Sequence, residues 1–77
     1  MIKLYTSIHC QSCEEARKYL SDKNIAFTEV NITGDVNLQK ELLEKSGQFG
    51  VPVIEINGMI IVGFNEKAMA AMLEVVV

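Results

Sequence analysis

Cys10-Gln11-Ser12-Cys13 is the stretch that decides how this chain is read. These are its only two cysteines. The run Met1 to Thr6 before them has the composition of a strand, and the run Glu14 to Leu20 after them has that of a helix. A C-x-x-C pair beside a strand–helix pattern reads as a thiol–disulfide redox site. A cysteine at a helix N-terminus faces unpaired backbone N–H groups and the positive end of the helix dipole. Both favour thiolate over thiol, so the pKa should fall below the free value of about 8.5. Cys13 lies one helical turn further along the same face, within reach of a disulfide. Cys10 is then the exposed nucleophile and Cys13 the more buried resolving thiol.

Two other readings use the same residues. A structural zinc site needs four protein ligands and a catalytic one three. The chain offers two cysteines and a single histidine, His9, whose position next to Cys10 is poor ligand spacing. A structural disulfide over so short a loop would constrain little of the unfolded chain.

The bulk numbers narrow the field. Seventy-seven residues are expected to form one domain, 1–77, at the small end of what folds alone. A hydrophobic share of 49% allows a core without staples. The net charge is −3, and Lys and Arg are scattered, which argues against nucleic acid and against an anionic membrane surface. No apolar run approaches the ~20 residues of a membrane span. Met1-Ile2-Lys3-Leu4-Tyr5 enters a strand directly, without a signal-peptide pattern, and Val75-Val76-Val77 is too short an apolar tail to anchor anything. The expected location is cytoplasmic, where disulfides are transient and catalytic.

Along the chain, the first strand leads through Thr6 to His9 into a helix from Gln11 to Asp22. Cys13, Ala16 and Leu20 share one face of it, with Glu14, Glu15 and Lys18 in solvent. The two glutamates suit the dipole but oppose thiolate formation at Cys10. Ile25 to Ile32 has strand composition. Asp35 caps a helix from Val36 to Ser46, with Leu38, Leu42 and Leu43 inward and Lys40, Glu41, Glu44 and Lys45 outward; Gly47 stops it. Val51 to Ile56 and Met59 to Val62 are strands around Asn57-Gly58, the strongest short hairpin signal. Asn65 or Glu66 opens a last helix with an apolar stripe of Ala68, Met69, Met72, Leu73 and Val76. Met59, Met69 and Met72 are expected in the core. The order β-α-β-α-β-β-α predicts an α/β fold: a mixed four-stranded sheet with helices on both faces.

Tyr5-Thr6, Cys10 and Cys13, Ala16, Tyr19-Leu20, Gly50-Val51-Pro52-Val53, Asn57-Gly58 and Gly63 together resemble the thioredoxin fold in its short, glutaredoxin form. The resemblance spans essentially the whole chain. It departs from the usual glutaredoxin pattern at Gln11-Ser12, where Pro-Tyr is common, at Ser7, where a Lys is common, and at Val62-Gly63-Phe64-Asn65, where Gly-Gly and then Asp are common. The Gly63-Phe64 pair looks more like an NrdH-type redoxin.

The resemblance implies a thiol–disulfide oxidoreductase with Cys10 and Cys13 as its catalytic pair. It implies no metal and no tightly bound cofactor. Glutathione is the favoured co-substrate, held by His9, Gln11, Val51, Pro52, Gly63, Phe64 and Asn65. The Val51–Pro52 bond would be cis, turning the Val51 main chain toward the cysteines so that an extended ligand pairs there as an added strand. His9 would assist the thiolate if protonated, or be a plain solvated loop residue. Asn65 can donate to a carboxylate where the family's Asp would accept from an ammonium. Ser7 and Phe64 count against glutathione: the first removes a cation and the second crowds the groove. The implied partners are oxidised or glutathionylated proteins, met by a monomer. The alternative is an NrdH-type redoxin reduced by thioredoxin reductase and feeding ribonucleotide reductase or another reductase. A third reading, from a different class, is a non-redox thioredoxin-fold binding module.

Overall fold

A computed structural model describes residues 1–76 in backbone and 1–74 in side chains. The side chain of Val76, expected on the last helix's stripe, and those of the Val75–Val77 tail lie outside the described residues. The order is β1 (Ile2–Thr6), α1 (Gln11–Asp22), β2 (Thr28–Asn31), α2 (Val36–Ser46), β3 (Val53–Ile56), β4 (Met59–Val62) and α3 (Glu66–Val76). The strands lie side by side as β2-β1-β3-β4. β1 and β2 are parallel, as the helical crossover between them requires, and β3 is antiparallel to both β1 and β4.

Strand alternation divides the core in two. Ile2 and Leu4 of β1 and Ile54 and Ile56 of β3 face Ala16 and Leu20 of α1 and Met69 and Leu73 of α3. Tyr5 and Val53 point the other way and meet Leu42 of α2 and Ile32. The mixed sheet with helices on both faces is therefore present, with two helices on one side and one on the other. Local chemistry ends the elements as expected. The Asp35 carboxylate accepts from the Leu38 N–H at 3.0 Å, and Gly47, at φ 75°, terminates α2 in the left-handed conformation. Asn57 (φ 49°) and Gly58 (φ 89°) both occupy positive φ, as a type I′ hairpin turn needs.

Four expectations need correction. β2 is four residues long, and Ile25 and Phe27 pack on the core from the loop before it. β3 begins at Val53, because Val51 and Pro52 are spent on the turn into the strand. Leu43 and Met59 are exposed, at the margins of α2 and β4. Glu41 and Lys45 do not face open water. The Tyr5 hydroxyl donates to Glu41 Oε2 at 2.8 Å and accepts from Lys45 Nζ at 3.0 Å, and Lys45 also reaches Glu55 Oε1 at 2.8 Å. A fully buried phenol needs partners for its hydroxyl, and it draws these two α2 side chains down onto the sheet.

Candidate active site

Parallel β1 and β2 finish at the end of the sheet where antiparallel β3 begins and β4 ends. The loops there bring together Cys10, the Val51-Pro52 turn and the Gly63-Phe64-Asn65 segment, which are far apart in sequence. Cys10 is the N-cap of α1, with extended φ −121° and ψ 102°. Its carbonyl accepts from the Glu14 N–H at 3.2 Å and its Sγ from the Cys13 N–H at 3.1 Å. A sulfur in the capping position takes a hydrogen bond that a helix otherwise leaves unmade, which is the geometry expected to favour a thiolate. Cys10 and Cys13 are joined as a disulfide, their Cα atoms 5.2 Å apart. Cys13 is fully buried on the stripe it shares with Ala16 and Leu20, whereas Cys10 is half-buried.

The loop carrying Cys10 is pinned to the segment after β2. The Ile32 N–H donates to the Thr6 carbonyl at 2.9 Å, and the Ile8 N–H to Thr33 Oγ1 at 3.0 Å. Thr33 is itself held through its N–H by Asn31 Oδ1 at 2.9 Å. His9, exposed, takes φ 55°, a left-handed conformation in a non-glycine residue, and so turns the chain into the cap. Gln11 is exposed in the first turn of α1.

Val51–Pro52 is a cis peptide bond, and Pro52 is buried. The Pro52 carbonyl accepts from the Gly63 N–H at 2.7 Å, which joins the two non-cysteine segments of the site. Asn65 is the cap of α3: its Oδ1 accepts from the Ala68 N–H at 3.1 Å and its carbonyl from the Met69 N–H at 2.9 Å. The oxygen is thereby used, and the amide NH₂ remains as a donor. The Phe64 ring lies edge-on to Tyr19, centroids 5.7 Å apart, and packs against the α1–α3 core. The ring is half-buried there.

Sequence reading missed the side chains that fix α1. Arg17, one turn beyond Cys13, grips Glu29 of β2 with both its Nε (2.8 Å) and a terminal nitrogen (2.7 Å), and Glu29 also accepts from buried Thr6 at 2.8 Å. The Arg17 guanidinium holds the Glu29 carboxyl below its ordinary range; partial burial opposes this and the Thr6 hydroxyl assists it. Only Thr6 carried a sequence signal, as a polar residue in an apolar strand. Charge at the site is one-sided. Glu14 and Glu15 are exposed beside the disulfide, and no Lys or Arg stands in Ser7–Cys13, Val51–Pro52 or Gly63–Asn65. Among the described residues, no three His, Cys, Asp or Glu side chains group to hold a metal ion. No helix there is long and apolar enough to cross a membrane.

The family model for glutaredoxin matches residues 2–61. The chain belongs to the glutaredoxin family. A glutaredoxin-like 8.6 kDa protein of the rubredoxin operon in Clostridium pasteurianum is 43% identical over 74 residues, 96% of this chain and 99% of that one. The glutaredoxin-like protein NrdH of Lactococcus lactis subsp. cremoris is 33% identical over 73 residues, 91% of this chain and 96% of its own. The crystal structure of the thioredoxin-like protein BC3987 superposes with a TM-score of 0.86 over 94% of this chain and 99% of that one, at 24% identity, which speaks to the fold. As a glutaredoxin-family chain with its C-x-x-C pair intact, this protein is a thiol–disulfide oxidoreductase.

Proposed function

We propose that this glutaredoxin-family protein reduces disulfides of other proteins by a dithiol cycle on Cys10 and Cys13, and glutathione mixed disulfides through Cys10, with glutathione as its electron donor. The observation that carries the cycle is the disulfide between a half-exposed helix-cap cysteine and a fully buried one. In the reduced protein the Cys10 thiolate attacks one substrate sulfur. The substrate S–S bond breaks and the departing thiolate takes a proton. Cys13, deprotonated, then attacks the Cys10 sulfur, the Cys10–Cys13 bond forms, and the second substrate thiol leaves. Two electrons have passed from the protein to the substrate. One glutathione thiolate reopens the bond at Cys10, and a second releases glutathione disulfide.

Support for glutathione comes from the neutral donors on the site. Val51 lies beside the cis peptide, where its main chain can pair with an extended tripeptide. The Asn65 amide and the free N–H groups that open α3 can receive a carboxylate without a basic side chain. His9 and Gln11, both exposed beside Cys10, complete the proposed contacts.

One observation favours a second reading, an NrdH-type cycle in which a protein reductase supplies the electrons. Glutathione is anionic, and the charged side chains next to the disulfide are Glu14 and Glu15. A coupled assay with NADPH and a small disulfide separates the two. Turnover with glutathione and glutathione reductase is expected; turnover with thioredoxin reductase alone would reject glutathione and establish the second reading.

A further inference from the structure

Two large apolar side chains stand in water beside the site: Ile8, 57% exposed, and Phe49, 61% exposed. They line a cleft of about 460 Å³ that also includes Ile32 and Val51. Two of its lining residues flank the redox site in the chain. Ile8 is in the loop that ends at Cys10, and Val51 is the residue before the cis proline.

Phe49 does not hang loosely. The Gln48 side chain brackets Gly50, the residue after Phe49, accepting from the Gly50 N–H and donating to the Gly50 carbonyl at 3.0 Å. It also donates to Ser46 Oγ at 3.2 Å, and the single proton of Ser46 Oγ is shared between the Leu42 carbonyl at 2.7 Å and the Gln48 carbonyl at 2.8 Å. The loop spends its polar groups on its own shape, and that shape places the Phe49 ring in solvent at the mouth of the cleft. With the backbone on both sides of it shaped by these bonds, an exposed aromatic side chain at the mouth of a cleft has the character of an interface anchor, and part of the cost of ordering its loop is already met.

The lining chemistry indicates what fits. Its polar side chains are engaged within the fold. Ser7 Oγ donates to the Ile8 carbonyl at 3.4 Å, Thr33 Oγ1 accepts from the Ile8 N–H at 3.0 Å, and the Gln39 amide donates to the Ile32 carbonyl at 3.1 Å. None is charged, so a carboxylate would find no counter-ion, whereas an apolar side chain would meet Ile8, Ile32, Phe49 and Val51. We propose that this cleft receives an apolar side chain adjacent in sequence to the attacked cysteine of a disulfide-bonded protein substrate, and that Phe49 sets the preference for it. This rests on the disulfide-reductase reading and adds the substrate class.

The test is a single-turnover reaction of the pre-reduced protein with two peptide disulfides, identical except for Leu or Asp beside the cysteine, followed by quenching and thiol analysis. This needs no electron donor. The wild-type protein is expected to react about tenfold faster with the Leu peptide, the ratio given by about 50 Å² of buried apolar area. Phe49→Ala should bring the ratio close to one, and Phe49→Leu should preserve most of it. Equal rates with both peptides, or a ratio that survives Phe49→Ala, would overturn the inference and leave the reductase reading standing. No reaction with either peptide, or with a small disulfide, would overturn both.

Discussion

Glu29 holds Arg17 in a two-pronged grip, with carboxylate oxygens 2.8 Å from Nε and 2.7 Å from a terminal nitrogen. The pair ties the helix that carries both cysteines to the edge strand of the sheet. A planar guanidinium and a carboxylate match in this geometry, and the Thr6 hydroxyl completes the acceptor's partners. The pair is partly exposed, so its own worth is modest. More stability depends on Thr6, which is fully buried and would lose its acceptor.

Glu29→Ala is therefore expected to lower stability by about 1–2 kcal/mol, the cost of an unpaired buried hydroxyl plus a weak ion pair. Urea unfolding at pH 7 measures it. The pH dependence has a definite sign. The folded carboxyl sits below its unfolded pKa, so its contribution is full above the unfolded value and is lost as pH falls through the folded one. Wild type should lose more stability than Glu29→Gln on acidification below about pH 4.5. Parallel pH curves for the two would show that the grip contributes nothing.

The buried phenol of Tyr5 makes the opposite prediction at alkaline pH. Burial raises its pKa, Lys45 opposes this, and Glu41 adds to it. The Lys45 ammonium is raised as well, by its hydrogen bonds to Glu55 and then Tyr5. Both groups contribute stability that is full below their unfolded values and is lost as pH rises toward the folded ones. Stability should fall above about pH 10, and more steeply than in Tyr5→Phe. At pH 7, Tyr5→Phe should cost about 1–3 kcal/mol, because two hydrogen bonds to charged groups are lost. Denaturant titration at the two pH values checks both statements.

The Cys10 and Cys13 roles separate by substitution. Cys10→Ser should abolish disulfide reduction. Cys13→Ser should stop reduction of protein disulfides, leave deglutathionylation, and accumulate a mixed disulfide on Cys10. Mass spectrometry of the quenched reaction reads the adduct. Full activity in Cys10→Ser would end the assignment.

His9, at φ 55°, tests whether its backbone or its ring matters. Glycine tolerates that conformation, whereas a β-branched residue is a genuine outlier there. His9→Val should lose about 1–2 kcal/mol and His9→Gly should not, by thermal or urea unfolding. If both variants alkylate at Cys10 with the wild-type rate, the ring has no part in activating the thiol.

What the sequence determined by itself was whatever a few consecutive residues decide. The helix over Gln11–Asp22, the Asp35 cap, the Gly47 stop and the Asn57-Gly58 turn depend on local spacing and on φ angles that only some residues adopt. The cysteine pair was legible for the same reason, since a cap and a disulfide one turn long are local events. The tertiary structure decided matters that periodicity does not reach. A helical stripe names a face but not its width, so Leu43 fell outside the core while Lys45 and Glu41 were drawn in by a buried phenol about 40 residues earlier. Thr33 became the pin for the Cys10 loop across 25 residues, and Arg17 found Glu29 only because the parallel crossover lays β2 beside β1. Hydrogen-bonding capacity is written in each side chain, but its partner is chosen by which strands end together.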